Sequence, residues 1–158
     1  MKLSISEIYD SITLKTKKYD QVKMEIKKVW LLENYKNFNG KGIEFLYNTI
    51  NNLADDIIDI KFKHQKVISG NIDGRKIKEF SKYLGFSSLT HHKAKDGEKL
   101  FQVKKQRNNL AHGLISFADC GRQYTYDDLN IIKNETIIYL RGIIKNIQKY
   151  IENENFTI

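Results

Sequence analysis

The chain has 158 residues, 41% of them hydrophobic and 29% charged, which is typical of one soluble globular domain and not of a disordered protein. It contains no proline, the residue that breaks helices most strongly, and this favours long helices. The formal net charge of +8 favours an anionic partner, with nucleic acid ahead of an acidic protein or a membrane surface.

Cysteine content and hydropathy limit the cellular compartment and the kinds of site that the chain can contain. Cys120 is the only cysteine in the sequence, which excludes an intramolecular disulfide and a cysteine-rich zinc site. No apolar run approaches the length of a membrane-spanning helix, and the first residues lack the apolar core of a signal peptide. These features predict a cytoplasmic protein that does not bind a membrane.

The first predicted helix is amphipathic and runs from Ser4 to about Tyr35, with a bend at Lys15. Its apolar residues recur at alternating spacings of three and four, and only Lys15 interrupts them: Ile5, Ile8, Ile12, Tyr19, Val22, Ile26 and Val29. The opposite side is rich in lysine. That side is either an approach surface for nucleic acid or an ordinary solvated helix face.

Two further helices are predicted in the first half of the chain. An apolar stripe predicts a buried helix from Gly42 to Phe62: Ile43, Leu46, Tyr47, Ile50, Leu53, Ala54, Ile57 and Ile58. A shorter helix is predicted from about Gly74 to Leu84, with Asp73 as its N-cap and Gly85 at its end. The stretch from Phe86 to Gly97 should be irregular.

Apolar residues recur at helical spacing again from about Asp96, and one position of this stripe is occupied by a charged residue. The stripe is apolar except at one position: Leu100, Val103, Arg107, Leu110, Ala111 and Leu114. Burying an unpaired charge is expensive, so an inward-facing Arg107 needs a partner or a ligand. Arg107 therefore either pairs with a carboxylate of the bundle or belongs to a binding site.

His112 follows Arg107 by five positions, which is about 140° round an ideal helix. Arginine is a permanent cation whose flat donor fork fits phosphate, and histidine moves protons near neutral pH. Together they can bind and cleave a phosphodiester without a metal. Three arrangements would unite them: Arg107 reaches round the helix, the helix changes course at His112 and Gly113, or a second subunit completes the site.

The last helix is predicted from about Tyr126 to Glu152, after a connection from Ser116 to Gln123. Thr125 followed by Asp128 resembles a capping box. The residues expected to face inward are Leu129, Ile132, Leu140, Ile143, Ile147 and Tyr150. Residues 153–158 are expected to fray. The prediction is one all-α domain, 1–158, folded as a bundle of roughly four to six helices.

One segment resembles a known family. The run VKKQRNNLAHG at 103–113, followed by Ser116-Phe117 and by CGRQYT at 120–125, resembles the HEPN superfamily of helical nucleotide-binding domains, which carry an R-x4-6-H motif. It is most similar to a bacterial branch associated with toxin–antitoxin, restriction and abortive-infection loci. The segments 46–48 and 69–73 are similar to the same branch, and the resemblance extends over about 42–151.

The resemblance implies an all-α symmetric homodimer with paired motifs at its interface and a metal-independent endoribonuclease activity, with no metal or cofactor. Carried over, Arg107 and His112 are the catalytic pair, and Asn108 is the polar residue that follows the arginine. His112 would act as general base or acid while Arg107 stabilises charge on the phosphoryl oxygens. Further contacts to RNA are expected from Lys104, Lys105, Asn109 and Arg122.

The resemblance also implies partners and leaves two alternatives. Besides the RNA substrate, a cognate antitoxin or a defence-system protein is expected. The first alternative is a non-catalytic HEPN module that binds nucleic acid, nucleotide or a partner protein through the same surface. The second is a plain helical interaction domain, with Arg107 in a structural ion pair and His112 as a cation at a helix C-terminus.

Overall fold

The computed structural model describes residues 2–55, 58 and 71–158. Within these residues the chain is all-α, as predicted, and contains no strand. The helices are α1 (Lys2–Leu14), α2 (Met24–Phe38), α3 (Ile43–Asn52), α4 (Gly74–Leu84), α5 (Glu98–Ala111), α6 (Phe117–Arg122) and α7 (Tyr126–Glu152). Three short 3-10 turns accompany them, at Tyr19–Gln21, Leu53–Asp55 and His92–Gly97.

The single long helix predicted over Ser4–Tyr35 is wrong, because the chain breaks between α1 and α2. Thr16 has a φ of 46°, outside the right-handed helical region, and a 3-10 turn follows it. The predicted apolar stripe is nevertheless buried in both helices. The break allows one stripe to contact two neighbours, since α1 packs against α7 and α2 packs against α4.

The core is built around α7, which packs against α1, α5 and the 3-10 turn at His92–Gly97. The predicted inward residues Ile143, Ile147 and Tyr150 are buried, but Leu129 is exposed. Tyr139, which is not among the predicted inward residues, is fully buried. Its neighbours explain why it fits: the hydroxyl of Tyr139 donates to the carbonyl oxygen of Gly74, at 3.3 Å.

The C-terminal residues 153–158 do not fray, and the expectation that they would is wrong. Phe156 is fully buried, with its ring centroid 6.0 Å from that of Tyr150. The backbone is also held: the N–H of Lys23 donates to the carbonyl of Phe156 at 2.8 Å, and the N–H of Ile158 donates to that of Gln21 at 3.0 Å. The tail therefore closes over the chain between α1 and α2.

The second predicted helix exists, but its apolar stripe is not buried. No residue of α3 is buried, and Ile43 is 82% exposed. The helix ends at Asn52 and a 3-10 turn follows to Asp55, so it is shorter than predicted. The remainder, 56–62, lies outside the described residues except for Ile58, which is buried. Periodicity identifies an amphipathic helix without identifying what covers it.

Local capping signals account for the ends of the other helices. Asp73 accepts the N–H of Lys76 at the start of α4, and Gly85 ends that helix with a φ of 85°. The capping box of Thr125 and Asp128 at the start of α7 is present. The connection predicted for 116–123 is wrong, because it contains α6. Ser116 caps this short helix by accepting the N–H of Asp119 at 3.0 Å.

The buried carboxylate of Asp73 joins α4 to α5. Besides the Lys76 N–H, it accepts hydrogen bonds from Lys104 Nζ at 2.6 Å and Arg75 Nη2 at 3.3 Å. Burial alone would raise the pKa of Asp73, but these hydrogen bonds outweigh it and lower the pKa from 3.8 to about 2. The ion pair therefore stabilises the folded chain at neutral pH.

We predict that Asp73→Asn destabilises the fold by about 2 kcal/mol at neutral pH, because the amide keeps the cap but loses the charge. A lowered pKa stabilises the fold above the unfolded value, and the contribution is lost as pH falls through the folded value. The difference in the free energy of unfolding between Asp73→Asn and wild type should therefore shrink between about pH 4 and pH 2.

Urea unfolding at a series of pH values measures this difference. The matched control is Asp20→Asn, at an exposed position, which should stay within about 0.5 kcal/mol of wild type. A difference for Asp73→Asn that stays constant down to about pH 2 would contradict the assignment.

Candidate active site

The R-x4-H motif lies at the C-terminal end of α5, where the helix closes with a Schellman motif. Gly113 has a φ of 68° and donates its N–H to the carbonyl of Leu110 at 3.2 Å. The N–H of Leu114 donates to the carbonyl of Asn109 at 2.8 Å. His112 is the C-cap, with ψ near 6°, so the helix changes course there. The change of course expected at His112 and Gly113 is therefore present in the backbone of the single chain.

Arg107 is exposed, so the alternative in which its charge is buried in the core does not fit. No residue of α5 is fully buried. Val103 and Leu114, on the same stripe as Arg107, are exposed as well. Leu100, at the start of the stripe, packs against the core, but the rest of this apolar face does not.

The stripe faces an open groove of about 420 Å³ between α5, α6 and the start of α7. Arg107 is one of the residues that line it, and the apolar lining residues are Val103, Leu110, Phe117, Leu129 and Ile132. Phe117 is 84% exposed, and Tyr126 and Leu129 beyond it are also exposed. Exposed apolar patches of this kind mark interaction surfaces.

The side chain of Asn108 links Arg107 to the loop before α4. Arg107 Nη1 donates to Asn108 Oδ1 at 3.0 Å. Asn108 Nδ2 in turn donates to Asn71 Oδ1 at 2.8 Å. Asn71 is not among the predicted site residues, although the segment 69–73 is similar to the family.

The four residues expected to contact RNA differ in their surroundings. Lys104 is bound to Asp73, so its charge is largely compensated inside the fold. Arg122 pairs with Asp119 at 2.6 Å on the surface. Asn109 Nδ2 donates to Gln106 Oε1 at 3.3 Å. Lys105 is exposed and is the cation nearest in sequence to the motif that has no described carboxylate partner.

A second set of polar contacts holds α5 from its other side. Gln102 and Gln106 each donate from Nε2 to the hydroxyl of Tyr124, at 3.2 and 2.7 Å. Tyr124 lies in the segment between α6 and α7, so these bonds fix that segment against α5. The helix that carries the motif is therefore held on two sides.

The described part of the chain contains no group of three or more histidine, cysteine, aspartate or glutamate side chains that could hold a metal ion. None of the described helices is long and apolar enough to cross a membrane.

The chain matches the family model described as HEPN_MAE_28990-like HEPN over residues 1–156, which includes α1 as well as the motif. No curated protein matches it, and no solved structure matches it.

The geometry of the helix end makes a prediction about Gly113. No atom lies within 4 Å of a Cβ built there, so Gly113→Ala creates no clash. Its only cost is the left-handed backbone conformation that alanine must adopt. We expect a loss of about 1 kcal/mol, and a smaller loss for Gly113→Asn. Urea unfolding followed by circular dichroism measures both.

Gly121→Ala is the matched control, since Gly121 lies inside α6 with no atom within 4 Å of its Cβ position. Alanine should be neutral or stabilising there, because glycine is a poor helix former. If Gly113→Ala and Gly121→Ala had the same free energy of unfolding, that result would contradict a left-handed backbone at the end of α5.

Proposed function

The chain belongs to the HEPN_MAE_28990-like HEPN family, and from this premise we propose that it is a metal-independent endoribonuclease whose active site forms where two copies meet. The observation that carries the proposal is the end of α5. There Arg107 and His112 are both exposed, and Arg107 lines an apolar groove that a second copy could cover.

The residue types suit cleavage of RNA. The guanidinium of Arg107 would bind the non-bridging oxygens of a phosphodiester and stabilise their growing charge. The neighbouring 2′-hydroxyl would lose its proton to one histidine and attack phosphorus, and the bond to the 5′ oxygen would break. That oxygen would take a proton from a second histidine. The products are a 2′,3′-cyclic phosphate and a 5′-hydroxyl, and DNA, which lacks the 2′-hydroxyl, would resist.

A dimer supplies what one chain lacks. The reaction uses one proton acceptor and one proton donor, whereas each motif contains a single histidine. His112 and the partner's His112 would fill these two roles. Exposed Phe117, Leu129 and Leu114 support such an interface, because covering apolar surface is favourable by about 25 cal/mol per Å².

The charge of the chain supports an RNA partner. With a formal net charge of +8, the surface attracts phosphate, and binding should weaken as salt is added. Lys105 is the most direct candidate for a phosphate contact next to the motif. Arg122 could join it by exchanging Asp119 for phosphate, whereas Lys104 is retained by Asp73. In a toxin or antiviral defence role, a cognate antitoxin or other partner protein would hold the activity in check.

We predict that Arg107→Ala and His112→Ala each lower RNA cleavage at least about 100-fold, because each removes one part of the transition-state machinery. Purified protein is incubated in EDTA with single-stranded RNA and, separately, with DNA of the same sequence. The new RNA ends are then examined. Cleavage in EDTA should leave a cyclic phosphate, and DNA should stay intact.

Two matched variants control for surface charge. Arg141→Ala removes an exposed arginine of α7, and His92→Ala removes an exposed histidine outside the motif. Both should cleave RNA like wild type. Full activity in Arg107→Ala or His112→Ala would contradict the assignment. Salt-sensitive RNA binding by a wild type that does not cleave would favour the non-catalytic HEPN module.

The groove carries a separate prediction. Phe117→Glu should leave the chain folded but monomeric, because it places a charge on the surface that the second copy covers, and cleavage should fall with dimerisation. Analytical ultracentrifugation measures the mass. Leu89→Glu is the control, since both side chains are 84% exposed and Leu89 lies outside the groove. A Phe117→Glu variant that remained a dimer would place the interface elsewhere.

A further inference from the structure

We infer that Asn71 is a positioning residue that acts through Asn108 to orient the guanidinium of Arg107. This inference rests on the proposed ribonuclease function, because it assigns Asn71 and Asn108 to the same site. The geometry is a chain of two hydrogen bonds, from Arg107 Nη1 to Asn108 Oδ1 at 3.0 Å and from Asn108 Nδ2 to Asn71 Oδ1 at 2.8 Å.

The chemistry of the three groups explains why Asn71 matters. A guanidinium has only donors, so Asn108 must turn its carbonyl oxygen toward Arg107. The amide nitrogen of Asn108 then points the other way and needs an acceptor, which Asn71 Oδ1 provides. Without that acceptor the amide could turn over and set its own donors against those of the guanidinium. Asn71 therefore selects the amide orientation that binds Arg107.

The chain just after Asn71 is tied to α5, which limits where the acceptor can lie. Two residues later, the buried carboxylate of Asp73 binds Lys104 on α5. Lys104 and Asn108 are four residues apart and lie on the same face of that helix. The loop before α4 thus contacts α5 at two successive turns, once through an ion pair and once through an amide pair.

The two contacts differ in what they contribute. The Asp73 carboxylate is buried and its ion pair with Lys104 ties α4 to α5, whereas Asn71 is exposed. A hydrogen bond between exposed amides adds little to stability, since water replaces it readily. The loop would remain in place without Asn71, so the consequence of losing its side chain should fall on Arg107 and not on folding.

This geometry also changes the role expected of Asn108. Its oxygen is engaged by Arg107 and its nitrogen by Asn71, so both ends of the amide already have partners. Asn108 is therefore better described as a positioning residue than as a ligand of the scissile phosphate. Holding a donor in place before the substrate arrives is how electrostatic stabilisation of a transition state becomes effective.

The test compares the steady-state cleavage of RNA by Asn71→Ala, Asn108→Ala and the double variant of the full chain. Asn71→Ala should lower kcat roughly tenfold with KM within about twofold, since the interaction gained by positioning is made in the transition state. The double variant should be no slower than Asn108→Ala alone, because Asn71 acts through Asn108. Effects that multiply in the double variant would overturn the inference.

Two further variants separate positioning from a general loss of structure. Asn71→Asp keeps an acceptor for Asn108 and should recover kcat, with any remaining cost in KM from the added negative charge. Asn51→Ala, at an exposed asparagine of α3, should behave like wild type. The urea midpoint of Asn71→Ala should equal that of wild type. A lowered midpoint with no recovery in Asn71→Asp would show a structural role only.

A measurement without RNA keeps the inference independent of the proposed activity. In NMR spectra of the free protein, Asn71→Ala should shift the side-chain amide signals of Asn108 and the Nε–Hε signal of Arg107. The signal of Arg141 should not move. Absence of cleavage by wild type would refute the proposed function, whereas unmoved Asn108 and Arg107 signals would refute the role of Asn71.

Discussion

The buried carboxylate of Asp73 is the contact on which the candidate site depends. It caps α4 and binds Lys104, so it sets where α5 lies relative to α4. The next residue, Gly74, lies so close to the turn before α5 that an added Cβ would be only 2.6 Å from the carbonyl oxygen of Asp96. The carbonyl oxygen of Gly74 also accepts a hydrogen bond from the hydroxyl of Tyr139 on α7. Three helices and the turn before α5 therefore meet around this one carboxylate. A buried charge with several donors is a rigid anchor, because losing any one partner is costly.

The features that the sequence predicted well have causes within a few residues. Asp73 and Gly85 bound α4, and Thr125 begins α7, because caps and left-handed ends are local chemistry. The failures have distant causes. Thr16 breaks the first helix because α1 and α2 must reach different neighbours. Phe156 is buried because the C-terminal tail contacts the chain near Gln21. A single aromatic residue near a terminus has no periodic pattern from which this contact could be predicted.

An apolar stripe predicts that a helix face is covered, but it does not predict what covers it. The stripe of α3 is exposed at Ile43, and the stripe of α5 opens onto the groove beside Phe117. Arg107 looked anomalous only on the assumption that its stripe faced the core. In an interface that also binds phosphate, an arginine among apolar residues is expected, since arginine suits both settings. The charge within the stripe thus coincides with an open apolar groove, which is the surface that the proposed dimer would cover.

The same geometry weakens the reading in which the motif is structural. The cap of α5 is made by the backbone of His112, Gly113 and Leu114, so the imidazole of His112 is not needed to end the helix. An exposed Arg107 does not require a carboxylate to offset the cost of burial. Both side chains are thus carried by a helix whose position is fixed by other residues. The proposed chemistry and the stability of the fold therefore depend on different side chains, so substitutions at the motif are expected to change activity without unfolding the chain.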